Sequence, residues 1–272
     1  MLASYLNILR ASFKKDFLFQ FSYKLSFFTE LFFAFLLIFF LFFLSKSFNF
    51  SDDSFYSKFK GEFFLFSITG FSIVNLMGQC YAAISNNLRE AQSFGYIEEL
   101  FVSKNRFIFL SISSTFYTFA KSFLRLVLIF IVSWFLSDQT LSIQDIFKLF
   151  AVCCVTLISF IGISMIGLAI ILIYKKGDYL SLIFVGGSVI ISGTIYPNDV
   201  LPQILIYFSE LLPLTHALDI IRNELVEEGF QNSSYLAVSK LVFLAILYLV
   251  LGYLCISKAI DISRIKGTFS HY

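Results

Sequence analysis

Long stretches with almost no charge dominate this chain: residues 25–44, 63–86, 110–136, 149–173, 179–196 and 234–256. A helix needs about 20 mostly apolar residues to cross a hydrocarbon layer about 30 Å thick. Backbone N–H and C=O groups in lipid must bond within their own segment, so runs of this length fit helices rather than barrel strands. The expected fold is therefore an all-α polytopic membrane protein with six transmembrane helices. Composition agrees, since 58% of the 272 residues are hydrophobic and 38 are Phe. Charged residues make up 14%, against about 25% in soluble domains. A soluble enzyme and a disordered chain are excluded, and a net charge of +2 builds no phosphate-binding face for nucleic acid.

Charge bias sets the expected orientation. With both termini in the cytoplasm, twelve Lys and Arg fall inside, six outside, and Lys121 and Arg125 lie within the third span. No cleavable leader is expected, because Arg10, Lys14, Lys15, Asp16 and Lys24 break up the start. In residues 1–24, Leu2, Leu6, Leu9, Phe13, Phe17 and Phe21 recur at helical spacing between basic residues. That pattern suits an amphipathic helix lying in the inner interface, or one packed against the protein's own bundle. Residues 87–106 form the longest polar stretch on the inside. Ile97, Leu100 and Phe101 share one stripe there, with Glu98 and Glu99 turned away, which reads as a docking helix or a solvated turn.

All three prolines, Pro197, Pro202 and Pro213, fall in or beside the apolar remainder at 197–221. Each removes a backbone donor and restricts its predecessor, so short helices at the outer surface are expected rather than one straight span. A single kinked seventh helix is the alternative, and it would send the C-terminus outward. Residues 257–272 are expected to form a cytoplasmic tail.

Catalytic constellations are missing. His216 and His271 are the two histidines, and no nucleophile stands beside a base. Cys80, Cys153, Cys154 and Cys255 lie in apolar runs without metal-ligand spacing and read as buried hydrophobes. Ionisable groups within spans carry more weight, because an unpaired charge in hydrocarbon is costly. Lys121 and Arg125 are four apart and share a helical face. They are expected to pair with an acidic group, face a translocation path, or bind an acidic headgroup. Glu30 is expected near the inner interface, and Glu210 among the outer helices. Gly162, Gly167, Gly186 and Gly187 are expected to let the fourth and fifth spans pack closely. The clustered phenylalanines of the first two spans read as lipid-facing bulk.

Residues 192–225, SGTIYPNDVLPQILIYFSELLPLTHALDIIRNEL, carry a long pattern of small, proline and polar residues. It resembles the C-terminal signature of ABC-2-type transporter permeases, through Ser192–Gly193, Pro197, Leu201–Pro202, Leu212–Pro213–Leu214–Thr215–His216–Ala217 and Arg222. The Leu-Pro-Leu-Thr-His-Ala form looks closest to drug-resistance and nodulation-type exporters. A second match is Glu90 followed by Gly95–Tyr96–Ile97–Glu98, where the family usually shows Gly-Thr-(Leu/Ile)-Glu; Tyr96 replaces the Thr, and Lys104 or Asn105 stands where Pro is common. The resemblance implies an ABC-2, type V exporter-like fold in the cell's inner (plasma) membrane. Two permease chains, identical or paralogous, would join two copies of a separate ATP-binding subunit. ATP and Mg would sit on that partner, and no cofactor on this chain. Glu90, Gly95, Tyr96, Ile97, Glu98 and Glu99 would couple to the ATPase. Gly193, Pro197, Pro202, Glu210, Pro213, Thr215, His216 and Arg222 would build the outer gate. Glu30, Lys121 and Arg125 would line a path for a lipid or amphiphilic substrate, or simply pair. Two other readings are a non-transporting anchor for an ATPase and a transporter driven by an ion gradient. The latter expects midplane charge pairs and internal repeats, and no repeat is visible.

Overall fold

The computed structural model describes residues 2–22, 24–47, 63–93, 104–136, 143–174, 178–196, 198–226 and 232–266. These form α1 (Leu2–Ser22), α2 (Lys24–Ser47), α3 (Phe63–Ser93), α4 (Lys104–Leu136), α5 (Ile143–Tyr174) and α6 (Asp178–Ile191). A 3-10 turn (Asn198–Val200), α7 (Gln203–Glu210), α8 (Pro213–Val226) and α9 (Asn232–Lys266) follow. Pro197 and residues Gly95, Tyr96, Ile97, Glu98 and Glu99 lie outside the described residues.

Among the described residues, five segments are long and apolar enough to cross a membrane: Phe28–Ser47, Phe63–Glu90, Thr115–Ser133, Ile146–Tyr174 and Tyr235–Ser263. The pair Gln203–Glu210 and Pro213–Asn223, bent by 89°, would bring the number to six if it counts as one span. The segment expected to cross at 179–196 falls on α6, which has 14 residues and runs into a turn at 192–196. At 1.5 Å per residue such a helix is about 21 Å long, short of a 30 Å layer. The break between α7 and α8 sits where the prolines put it. Pro202 caps α7 with φ −56° and ψ 145°, and Pro213 opens α8, where its missing N–H costs nothing.

The main core joins α3, α4, α5, α8 and α9 through fully buried side chains such as Leu76, Leu126, Phe160, Leu168, Leu214 and Ile256. A smaller cluster, with Ile38, Leu41, Phe64, Ile68 and Ile129, fastens α2 to α3 and α4. Buried hydroxyls return their protons to their own helix: Ser113 donates to the Phe109 carbonyl, Ser133 to Ile129 and Ser164 to Phe160. Such back-bonding lets polar residues sit inside an apolar bundle without an orphaned donor.

The most extensive helix pair is α5 with α9. A Cβ at Gly162 would collide with the backbone of Tyr248 and Leu249, and one at Gly252 with the Gly162 carbonyl. Small residues let helix backbones approach this closely, where dispersion and packing do the work in lipid. The expectation of a tight pair between the fourth and fifth spans is therefore corrected. Gly186 and Gly187 face open space, Gly167 accommodates the Tyr81 ring of α3, and the close backbone contact belongs to α5 and α9. On α2, Phe28, Phe32, Phe33, Phe40 and Phe43 are all more than half exposed, the arrangement expected of lipid-facing bulk.

Candidate functional site

Three polar centres interrupt the apolar bundle. The first joins α2, α3 and α4. Lys121 of α4 reaches Glu30 of α2, with Nζ 2.9 Å from Oε2 and 3.1 Å from Oε1. Arg125, one turn further along α4, donates through Nη2 to Glu30 Oε2 and through Nη1 to Asn75 Oδ1 at 3.3 Å. Asn75 also accepts from Gln79 Nε2 at 3.1 Å, and Gln79 Oε1 accepts from Ser122 at 3.1 Å. Helical spacing explains the convergence: 121, 122 and 125 face inward on α4, while 75 and 79 are one turn apart on α3. Side-chain exposure is 10% for Arg125, 19% for Lys121 and 31% for Glu30, and Asn75 is exposed too, so the centre is partly open beside both α2 and α3.

The sequence predicted Glu30, Lys121 and Arg125 as functional candidates, and the structure brings all three together. Sequence reasoning missed Asn75 and Gln79. Their signal was present, since two amides one turn apart in an otherwise apolar stretch need hydrogen-bond partners.

The second centre lies where α1 meets the end of α3. Lys15 Nζ is 3.1 Å from Glu90 Oε2 and 3.3 Å from Asp16 Oδ1. Burial pulls the Lys15 pKa down, but hydrogen bonding and attraction from Glu90 and Asp16 outweigh it and leave the ammonium above its ordinary value. For Asp16, burial dominates and pushes the carboxyl up, against the pull of Lys15. The Phe13 ring stands edge-on to Tyr117 of α4 at 5.1 Å, and Ser12 is buried. Thus α1 packs against the protein's own bundle through α4. Of the residues expected to couple to a partner, Glu90 is described, and it is held by Lys15. Nothing in the sequence points to that partner, 75 positions away.

The third centre gathers the signature residues. Arg222 of α8 is 5% exposed. Its guanidinium donates to the carbonyls of Gly193 at 2.7 Å, Phe66 at 3.0 Å and Thr194 at 3.1 Å, with Thr69 Oγ1 at 3.4 Å. It also stacks 3.5 Å from the centroid of the Phe66 ring. The planar fork of arginine suits several carbonyls at once, as a lysine could not. Gly193 holds φ +75°, a left-handed conformation that favours glycine. Gly70 leaves room for the Thr194 carbonyl and the Arg222 guanidinium. Together these residues lock the turn after α6 to the start of α3.

Other signature residues brace the α7–α8 bend. His216 Nε2 donates to the Glu210 carbonyl at 2.9 Å, and the Ser209 and Thr215 hydroxyls are 3.1 Å apart. From α9, Tyr248 donates to the Leu211 carbonyl at 2.9 Å, and Lys240 pairs with Glu210 at 3.3 Å. Pro202 and Pro213 set the ends of the two helices, as described above.

None of the three centres places a nucleophile beside a base. What they offer is electrostatic binding and mechanical connection. Among the described residues, no three His, Cys, Asp or Glu side chains converge as metal ligands.

Comparison with known proteins adds the family. The family model described as ABC-2 type transporter matches residues 6–226, from α1 through α8. No curated protein and no solved structure matches the chain. Proteins of this family are non-catalytic transport subunits that typically pair with an ABC ATPase. The long apolar helices are those of a multi-pass membrane protein. With the match covering most of its length, this chain belongs to the ABC-2 type transporter family.

Proposed function

We propose that the chain is the permease subunit of an ATP-driven exporter of the drug-resistance or nodulation type. It would move an amphiphilic, lipid-linked or drug-like substrate out of the cytoplasm or the inner leaflet. The family match carries this reading, and the Leu212–Ala217 sequence with Arg222 favours the branch. Two copies, or one with a paralogous permease, would assemble with two copies of an ATP-binding subunit that holds ATP and Mg. The topology would be six spans in the plasma membrane, with α6 and the 192–196 turn serving together as the fifth, and both termini in the cytoplasm.

In this mechanism residues 87–106 meet the ATPase, with Glu98 at the contact. The Lys15–Glu90 pair supports a route for the motion, because it ties α1 to the end of α3 within that segment. Closure of the nucleotide dimer would push on α3 and α1 together. The motion would pass along α3 to the Arg222 lock and the bent α7–α8 pair, which would act as the outer gate.

Replacing Glu98 by Ala tests the coupling directly. In vesicles holding the assembled complex, ATP hydrolysis should persist while transport falls, with the protein still inserted. Unchanged transport per ATP in that variant would remove the coupling assignment.

A further inference from the structure

The centre between α2 and α4 carries more positive than negative charge. Among the described residues, Glu30 is the carboxylate in ion-pair contact with Lys121 and Arg125. Among the described residues, the other side chain bonded to these cations is the neutral Asn75. Asn75 turns its oxygen to Arg125, and the oxygen of Gln79 is taken by Ser122. These dipoles soften the surplus charge without cancelling it. Donors are also in excess, since an ammonium has three N–H and a guanidinium five. The contacts described use at most two on Lys121 and two on Arg125. An uncompensated cation at membrane depth is costly and calls for an anion.

Access comes from the side rather than from within the bundle. Of the three charged members, Glu30 and Lys121 are the more exposed, and Asn75 beside Arg125 is exposed as well. Apolar side chains continue from them along the outer surface: Phe33 is 67% exposed, Leu124 61% and Leu128 39%. Phe33 lies about one turn beyond Glu30, and Leu124 and Leu128 one and two turns beyond Lys121.

We infer that Lys121 and Arg125 receive the acidic group, phosphate or carboxylate, of an anionic amphiphile entering between α2 and α4, its chain lying along Phe33, Leu124 and Leu128. Glu30 then acts as the resident counter-ion that the incoming anion competes with. The inference rests on the permease reading and names the charge class of the cargo.

Native mass spectrometry of the full chain in neutral detergent tests this. The probes are phosphatidylglycerol, phosphatidylcholine with the same chains, and inorganic phosphate alone. The native chain should retain phosphatidylglycerol over phosphatidylcholine by about tenfold and should not retain free phosphate. Lys121→Gln should abolish the preference, whereas Glu30→Gln, which removes the competitor, should increase it. A purely structural ion cluster would instead lose retention in both variants or in neither. Equal retention of the two lipids by the native chain overturns the inference, as does a lowered preference in Glu30→Gln. Competition by free phosphate would refute the requirement for an apolar chain. Should Lys121→Gln not fold, the native ratio and the Glu30→Gln ratio still decide. The assay needs no ATPase, so its failure leaves the assembly of a permease with its ATPase untouched.

Discussion

Arg222 is the residue whose loss the structure prices most clearly. Arg222→Met keeps side-chain length and apolar bulk but removes every donor. A buried ion pair can sometimes be replaced by hydrophobic residues at no cost, but three of the partners here are backbone carbonyls, which substitution cannot remove. The Phe66 carbonyl still accepts from Thr69. The Gly193 and Thr194 carbonyls lose the donor they had at 2.7 and 3.1 Å, at about 1–3 kcal/mol each. Loss of the cation–π contact with Phe66 adds about 1–2 kcal/mol. The total is about 3–8 kcal/mol, and even its lower bound, at about 2–4 °C per kcal/mol for a chain of this size, lowers Tm by about 6–12 °C. Arg222→Lys keeps a charge but not the fork and should lose roughly half as much. Thermal unfolding in mild detergent, followed by far-UV circular dichroism, measures both. Lys240→Gln is the control, because the Lys240–Glu210 pair is about half exposed on each side and worth less than about 1 kcal/mol. An Arg222→Met protein melting within about 2 °C of the native one would refute the lock between α8, α3 and the 192–196 turn.

Other outcomes follow from the same contacts. Gly162→Leu and Gly252→Leu should each break the α5–α9 contact and abolish a monodisperse peak on size exclusion, while Gly187→Leu, facing open space, should be tolerated. Lys15→Glu should weaken coupling of ATP hydrolysis to transport, and the exchanged pair Lys15→Glu with Glu90→Lys should restore part of it in a vesicle assay. The pKa of Lys15 is raised in the folded chain, so its stabilising contribution is complete below the ordinary value of 10.5 and is lost as pH rises through the raised one. Cross-linking of cysteines placed at Phe13 and Tyr117 should therefore proceed with the same α1 occupancy at pH 7 and pH 9, once corrected for thiolate fraction.

Much of the bundle was legible because its physics is local. Twenty apolar residues make a membrane helix whatever surrounds them, so the positions of α2, α3, α4, α5 and α9 could be read from hydropathy alone. Proline acts on its own backbone, and Pro202 and Pro213 announced the bend between α7 and α8. What escaped was whatever depends on a partner. Gly162 advertised close approach, but helical periodicity says nothing about which helix comes near, and the neighbour proved to be α9. Glu30 and Lys121 are 91 positions apart, so their depths could be guessed only from separate helix starts. The first eleven residues of α4 precede its apolar window, which brings Lys121 nearer to the helix start of α2 than a count from residue 110 suggests. The inward turn of Arg222 was hidden for another reason. Its cost is met by carbonyls of the 192–196 turn and α3, and any residue type can supply a carbonyl.

The central claim is that this chain transports by coupling to a separate ATPase. The most direct test is affinity purification from its native membrane in mild detergent, with ATPase activity measured on the eluate. The account predicts a stoichiometric ABC-type ATP-binding subunit, lost together with the activity when Glu98 and its neighbours are altered. Recovery of the chain without any ATPase, under conditions that keep other membrane complexes intact, would contradict it.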